Sequence, residues 1–86
     1  MKNLQLQGGR NLMNKKRREK VADAFELVRK VQEILQEVKE EEQEALDNLP
    51  DSLRDSEKGE QMQEYVELLE EAEGYLDDAA SVIEQI

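Results

Sequence analysis

Residues 47–56 read Asp-Asn-Leu-Pro-Asp-Ser-Leu-Arg-Asp-Ser, and this stretch decides the fold. Pro50 lacks a backbone N–H and clashes with the preceding helical turn, so a single helix cannot run through it. Asn48 is a suitable helix stop, and Ser56 is the best N-cap candidate because an acidic first turn follows it. We therefore predict a helix over about 14–47, a turn over 48–56 and a second helix over about 57–86.

Apolar residues on both sides of the turn recur at alternating spacings of three and four, which is typical of helices with coiled-coil-like packing. In the first helix the two predicted core series are Val21, Val28, Leu35 and Ala24, Val31, Val38, Ala45. In the second helix they are Met62, Leu69, Leu76, Ile83 and Tyr65, Ala72, Ala79, Ile86. We expect Leu49 and Leu53 to close the core at the turn. Two long helices joined by a short turn predict an all-α fold, an antiparallel two-helix hairpin.

Larger apolar side chains flank these series and make each stripe wider than a single hairpin can bury. They are Leu27, Ile34, Leu68, Tyr75 and Val82. Full burial stabilises by about 1.5–3 kcal/mol for each such side chain, which favours pairing of two hairpins into a four-helix bundle. These five residues are therefore the candidate interface of a dimer or higher oligomer. The alternative is a monomer in which the stems of long charged side chains cover them.

The composition leaves little room for catalysis or for a bound cofactor. The 86 residues include no Cys and no His, which removes thiolate and imidazole ligands and the commonest general base. No Asp-x-Asp-x-Asp-Gly calcium loop occurs, and adjacent carboxylates such as Asp77 and Asp78 diverge on a helix. We predict no enzyme activity, no catalytic residue, no cofactor and no metal. No apolar run approaches the ~20 residues of a membrane span, so we expect no membrane partner, and the lack of cysteine fits the cytoplasm.

Charge is segregated along the chain. Residues 1–20 hold seven Lys or Arg and one acid, a net charge of +6, whereas residues 21–86 hold five against twenty-one, a net charge of −16. The first helix is basic at its start and acidic at its end, which the helix dipole disfavours by roughly a few tenths of a kcal/mol per exposed charge. The candidate basic cluster consists of Lys15, Lys16, Arg17, Arg18 and Lys20.

This cluster has two interpretations. In an antiparallel hairpin it lies beside the end of the second helix, where it would neutralise Asp77, Asp78 and Glu84. The other interpretation is contact with nucleic acid. It is the weaker one, because such proteins are usually basic overall and both tyrosines of this chain belong to the apolar stripes.

The acidic residues near the turn form a candidate partner surface. Its members are Glu37, Glu40, Glu41, Glu44, Glu57, Glu60 and Glu64. A hairpin would gather them at the turn end, where like charges destabilise the fold. We interpret this end as the surface that binds a protein with a basic nucleic-acid-binding groove, with salt-sensitive electrostatic steering. The simpler interpretation is a solvated face that only keeps the helices in solution.

Three short motifs resemble those of a known group of proteins. Residues 13–17 read Met-Asn-Lys-Lys-Arg, residues 47–52 read Asp-Asn-Leu-Pro-Asp-Ser and residues 56–60 read Ser-Glu-Lys-Gly-Glu. From Met13 to Ile86 the chain thereby resembles a family of very short acidic proteins encoded in bacteriophages and prophages. The family has no settled activity, so the resemblance assigns no residue a role. It implies a phage accessory protein that binds a host protein in the bacterial cytoplasm, for example as an anti-defence factor.

Residues 1–12 contain Gly8-Gly9 and no helical pattern, whereas Met13 opens the basic run Asn14-Lys15-Lys16-Arg17-Arg18. We therefore expect that the native start is Met13 and that residues 1–12 are a leader or a disordered segment. The resemblance, which begins at Met13, agrees with this expectation. Three functions stay open at this point. The first is an interaction module that binds a host protein, and the second is a structural or oligomerisation scaffold. The third is a nucleic-acid binder that uses the basic cluster.

Overall fold

The computed structural model describes residues 13–86, which form three helices. These are α1 (Lys15–Asp47), α2 (Asp51–Arg54) and α3 (Glu57–Ile83). The two long helices α1 and α3 pack along each other as the arms of an antiparallel hairpin, and α2 lies in the turn against α3. The predicted all-α hairpin is confirmed, and the described part of the chain contains no strand. The leader expected at residues 1–12 lies outside the described residues.

Capping groups define both ends of α1. It begins after Asn14, whose Oδ1 accepts a hydrogen bond from the backbone N–H of Arg17 at 2.9 Å. It ends at Asn48 as predicted, and the backbone N–H of Asn48 donates to the carbonyl of Glu44 at 3.0 Å. Its first turn holds no acidic residue and its last turn no basic one. The charge distribution that opposes the helix dipole is therefore present in the folded chain.

The start of α3 is fixed by Ser56, as predicted. Its Oγ accepts a hydrogen bond from the backbone N–H of Gly59 at 3.4 Å and donates one to the carbonyl of Leu53. Gly59 is buried against the end of α2. A Cβ built on it would lie only 2.7 Å from the carbonyl oxygen of Leu53 and closer still to that of Arg54. The backbone of the turn thus fits against α3 only because residue 59 has no side chain.

This close backbone contact corrects one prediction about the turn. Leu53 does not close the core, because its side chain is 42% exposed. Its carbonyl faces Gly59 and Ser56, which leaves the side chain on the outside of α2. Leu49 is half-buried. Arg54 strengthens the turn instead, since its Nη2 donates a hydrogen bond to the carbonyl of Asp47 at 2.6 Å.

The seam between α1 and α3 uses one of the two predicted series on each helix. The series that begin with Val21 and Met62 are half-buried in the seam, as predicted. The second series is wrong on both helices, because Val31, Val38, Tyr65 and Ile86 are 42–47% exposed. Ala24, Ala45 and Ala79 are exposed as well, and Ala72 is half-buried. Residues one position later take their place, namely Phe25, Gln32, Lys39 and Leu46 on α1 and Val66, Glu73 and Ala80 on α3.

Opposite charges meet across this rotated seam. Lys39 Nζ lies 3.2 Å from Glu73 Oε2, and the two side chains are only 25% and 21% exposed. Arg29 Nη1 lies 3.2 Å from Asp77 Oδ1, and the Arg29 guanidinium sits 5.1 Å from the centre of the Phe25 ring. Apolar heptads lie on both sides of the Val21 series, so the apolar pattern alone allows either seam. The rotated seam is the one that brings these charges together.

The partly buried ion pair gives a stability prediction. Replacing both partners with leucine (Lys39→Leu with Glu73→Leu) is expected to raise the free energy of unfolding by about 1–3 kcal/mol, because apolar packing removes the desolvation penalty of two charges. Lys39→Leu alone is expected to lower it by about 1–2 kcal/mol, because Glu73 Oε2 is buried without a hydrogen bond and loses its counter-charge. Urea denaturation at one protein concentration measures both effects. A single variant as stable as the double variant would contradict this account.

Candidate interaction surfaces

Nine large apolar side chains form one continuous exposed surface, which we call the apolar face. Its members are 42–66% exposed and comprise Leu27, Val31, Ile34, Val38, Tyr65, Leu68, Tyr75, Val82 and Ile86. On both helices the stripe residues come one position before seam residues, as Val38 precedes Lys39 and Tyr65 precedes Val66. Because the two helices are antiparallel, this places both stripes on one side of the hairpin. Val38, Tyr65 and Leu68 accordingly line a single groove of about 300 Å³ between the helices. The apolar face is therefore a property of the hairpin and not of either helix alone.

The half-buried seam contains polar and charged side chains, although a large apolar surface stays exposed. The seam contains Gln32, Lys39, Glu42 and Glu73, whereas the apolar face outside it contains only large aliphatic and aromatic side chains. Within residues 13–86, the apolar side chains that are buried are Leu46, Val66 and Ala80. Folding of one hairpin thus leaves a broad apolar stripe in water.

The five predicted interface residues all lie on the apolar face. Leu27, Ile34, Leu68, Tyr75 and Val82 are 48–66% exposed. The sequence missed Val31, Val38, Tyr65 and Ile86 as members of this surface because it assigned them to the seam. The choice between the two seams depends on Lys39 meeting Glu73, which is visible only in the folded hairpin.

Tyr75 has its hydroxyl held beside the apolar face. The hydroxyl donates a hydrogen bond to Glu71 Oε2 at 3.0 Å. This hydrogen bond and the negative charge of Glu71 raise the pKa of Tyr75 above its ordinary value. The phenol therefore remains neutral at physiological pH, and its ring is available for apolar contact while its polar tip already has a partner.

Acidic side chains line shallow grooves on the opposite side of the hairpin, beside the turn. Glu60 and Glu64 line a groove of about 450 Å³ that also holds Asp47. Glu40 and Glu44 line a neighbouring groove of about 460 Å³. Both grooves run between the two long helices, so their negative charge comes from α1 and α3 together.

The seven glutamates of the predicted partner surface are all exposed, but they do not all lie on one side of the hairpin. Glu57 lines a further groove of about 590 Å³ with Glu60 and Glu64, and Glu37 shares a face of α1 with Glu44, seven residues later. Glu41 follows Ile34 by seven residues and so lies on the side of the apolar face. Six of the seven residues are left as candidates for one acidic surface.

The basic cluster lies at the open end of the hairpin, where α1 begins and α3 ends. All five of its side chains are exposed. Arg18 lines a groove of about 300 Å³ with Glu84, Phe25 and Ile83, so the cluster and the end of α3 are neighbours. The ion pairs formed among residues 13–86 are nevertheless Arg29–Asp77 and Lys39–Glu73. The neutralisation expected at Asp77 thus comes from Arg29, and the cluster keeps its charge exposed.

A membrane span, a metal site and known relatives are the remaining features that could indicate a function. No helix within residues 13–86 is long and apolar enough to cross a membrane. The same residues contain no group of three or more acidic side chains placed to hold a metal ion. Comparisons with protein families, with curated proteins and with solved structures find no match for this chain. Its function is therefore argued from its own surfaces.

Proposed function

We propose that this chain is a non-catalytic protein-interaction module that works as a paired hairpin. The apolar face pairs two hairpins into a four-helix bundle, and the acidic side beside the turn binds a cationic protein partner. One observation supports this most strongly: the hairpin holds Lys39 and Glu73 in its seam while its aliphatic and aromatic stripe stays exposed. A second copy that covers the stripe would remove these side chains from water.

The energetics favour a second copy. Each of the nine side chains of the apolar face is about half exposed, so covering it is worth about 1 kcal/mol. Complete burial on two copies sets an upper bound of roughly 18 kcal/mol, from which about 4–15 kcal/mol for association and a further amount for ordering the interface side chains are lost. The area is sufficient as well. Two adjacent helices of 33 and 27 residues are about 50 and 40 Å long and about 10 Å wide, so they cover about 900 Å², compared with about 800 Å² per partner in a standard interface.

The acidic side gives the module its second contact. The turn half of the hairpin, residues 37–67, holds twelve Asp or Glu and three Lys or Arg, a net charge of −9. Such a concentration attracts a cationic surface and speeds association at low ionic strength. A basic groove that normally holds nucleic acid has the matching charge and an elongated shape. In the setting that the phage resemblance implies, the partner is a host protein in the bacterial cytoplasm and the outcome is inhibition, as by an anti-defence factor.

Charge reversal tests the acidic contact. We expect the wild-type chain to retain a protein from host lysate at about 0.05 M salt and to release it at about 0.5 M, where screening is strong. Glu40→Lys with Glu44→Lys is expected to weaken this retention about tenfold or more. The matched control is Glu26→Lys with Glu33→Lys, which makes the same charge change on α1 away from the turn and should retain the protein. Equal retention by both double variants would contradict the acidic contact.

A purely structural scaffold is the second candidate, and the same apolar face favours it. In that case the chain associates with itself and retains no host protein at either salt concentration. Retained nucleic acid in place of protein would point to the basic cluster as the binding surface. The lysate experiment therefore separates the three functions in one measurement.

A further inference from the structure

We infer that the second copy lies antiparallel on the apolar face, so that the basic cluster of each protomer contacts the acidic turn of its partner. This arrangement rests on the proposed pairing and adds its orientation. The two-fold axis passes between the α1 helices of the two protomers, level with the midpoint of Ile34 and Leu35 and at right angles to both helices. The two turns then lie at opposite ends of the bundle, and α1 of one protomer packs against α1 of the other.

The sequence of the exposed α1 stripe supports this axis. Its residues at heptad spacing are Ala24, Val31, Val38 and Ala45, and all four are exposed. The series reads the same in both directions about the midpoint between residues 34 and 35. A two-fold interface is self-complementary, so residues equidistant from the axis face each other. Ala24 then faces the partner's Ala45 and Val31 faces the partner's Val38, which matches small with small and branched with branched.

The charges support the same orientation. The turn half carries a net charge of −9, whereas the open half, residues 13–36 and 68–86, holds ten acids and seven bases, a net charge of −3. A parallel pair places both turn halves together and brings two strongly acidic regions into contact. The antiparallel pair places each turn half beside the open end that carries the basic cluster. Electrostatic complementarity of this kind fixes orientation more than it adds affinity.

The register brings particular charges together. Arg17 and Lys20 precede Ala24 and Leu27 by seven residues, so they extend the apolar face toward the open end. The positions equidistant from the axis on the partner are 52 for Arg17 and 49 for Lys20, in the turn just beyond the end of α1, where Asp51 lies. The charges that oppose the dipole of α1 within one chain therefore attract each other between chains. This gives the basic cluster a function that the single hairpin does not explain.

Spin labels at the turn measure the orientation. The chain has no cysteine, so Ser52→Cys provides a single site for a nitroxide label at an exposed position. In the antiparallel dimer the two labels are about 50 Å apart, whereas in a parallel dimer they are about 20 Å apart, given the rise and packing distance of helices. Electron–electron double resonance separates these values. A label at Gln36→Cys, close to the axis, is the control and should report less than about 35 Å in either dimer.

A charge swap tests the contact itself. Variant one carries Arg17→Glu, and variant two carries Asp51→Lys. Each variant alone places like charges in contact and is expected to dimerise about tenfold more weakly than wild type in sedimentation at low salt. An equimolar mixture restores both contacts in the heterodimer and should return to the wild-type affinity. Effects within one chain cannot produce this rescue.

The outcomes are distinguishable. A wild-type chain that sediments as a monomer would overturn the proposed pairing and this inference with it, and would leave the apolar face to a partner of another kind. A wild-type dimer with a short distance between the Ser52 labels would overturn the antiparallel orientation alone. A mixture of the two charge variants that fails to regain affinity would overturn the contact between the basic cluster and the turn. A long distance together with rescue supports the inference in full.

Discussion

The Gly59→Ala variant is expected to lose about 2 kcal/mol or more of its free energy of unfolding. The new Cβ would lie 2.7 Å from the carbonyl oxygen of Leu53 and closer still to that of Arg54. Both atoms belong to backbone, so the turn and the first turn of α3 must move apart. Overpacking of this kind costs about 1–3 kcal/mol. The movement also disturbs the Ser56 cap, which is worth about 1 kcal/mol, and these losses exceed the gain of about 1 kcal/mol from the helix propensity of alanine.

Gly74→Ala is the matched control. Gly74 lies exposed in the middle of α3, and a Cβ built on it meets nothing within 4 Å. This variant is expected to gain about 0.5–1 kcal/mol, because alanine is the better helix former. Urea denaturation followed by circular dichroism, at a single protein concentration, compares the two variants with wild type. If both alanine variants shifted the midpoint in the same direction, the close backbone contact at residue 59 would not exist.

The second large effect is expected from charges placed on the apolar face. Ile34→Glu with Leu68→Glu should weaken dimerisation by about 100-fold or more, a loss of about 2.7 kcal/mol. Ile34 and Leu68 are 48% and 52% exposed in the single hairpin, so the new carboxylates are well solvated there. In the bundle the same carboxylates would be buried without partners, and the charged form is strongly disfavoured in that environment. The substitutions therefore weaken the dimer and leave the stability of the single hairpin nearly unchanged.

Two added charges outside the apolar face provide the control. Gln36→Glu with Gln63→Glu changes the net charge by the same amount at exposed positions away from that face. This variant should dimerise within about threefold of wild type, because only general repulsion between the two acidic chains changes. Analytical ultracentrifugation over a range of concentrations measures both dissociation constants. Equal weakening by the two pairs would show that total charge, and not the apolar face, controls association.

Local chemistry made the ends of the helices predictable. Pro50 forbids a continuous helix, Asn48 stops α1 and Ser56 caps α3, and each of these effects acts within about four residues. The hairpin followed from the length of the two helices and the shortness of the turn. The prediction did not name Asn14 as the N-cap of α1, did not include α2 in the turn, and extended the second helix to about residue 86, whereas α3 ends at Ile83.

Side-chain positions around the helices were less predictable, because they depend on contacts between distant residues. Two heptad series on each helix could have faced the seam, and the apolar pattern favoured the wrong one. The choice depends on Lys39 meeting Glu73 and Arg29 meeting Asp77, pairs separated by 34 and 48 residues. Gly59 and Leu53 show the same limitation, since only the folded turn reveals that a backbone contact replaces a side-chain plug.

The two candidate surfaces also differed in how well the sequence predicted them. The five predicted interface residues, which depend only on the width of the apolar stripe, all lie on the apolar face. The acidic surface depends on which way each glutamate points around its helix, and Glu41 lies on the flank of Ile34, seven residues before it, and not with the other six glutamates. The width of an apolar stripe is therefore easier to predict from the sequence than the direction in which a charged side chain points.

The mass of the wild-type chain in solution tests the central claim most directly. One chain has a mass of 10.0 kDa. Sedimentation equilibrium from micromolar to submillimolar concentrations is expected to give twice that mass, because the apolar face is covered by a second copy. A mass of 10.0 kDa at every concentration, from a chain that remains helical, would contradict the account.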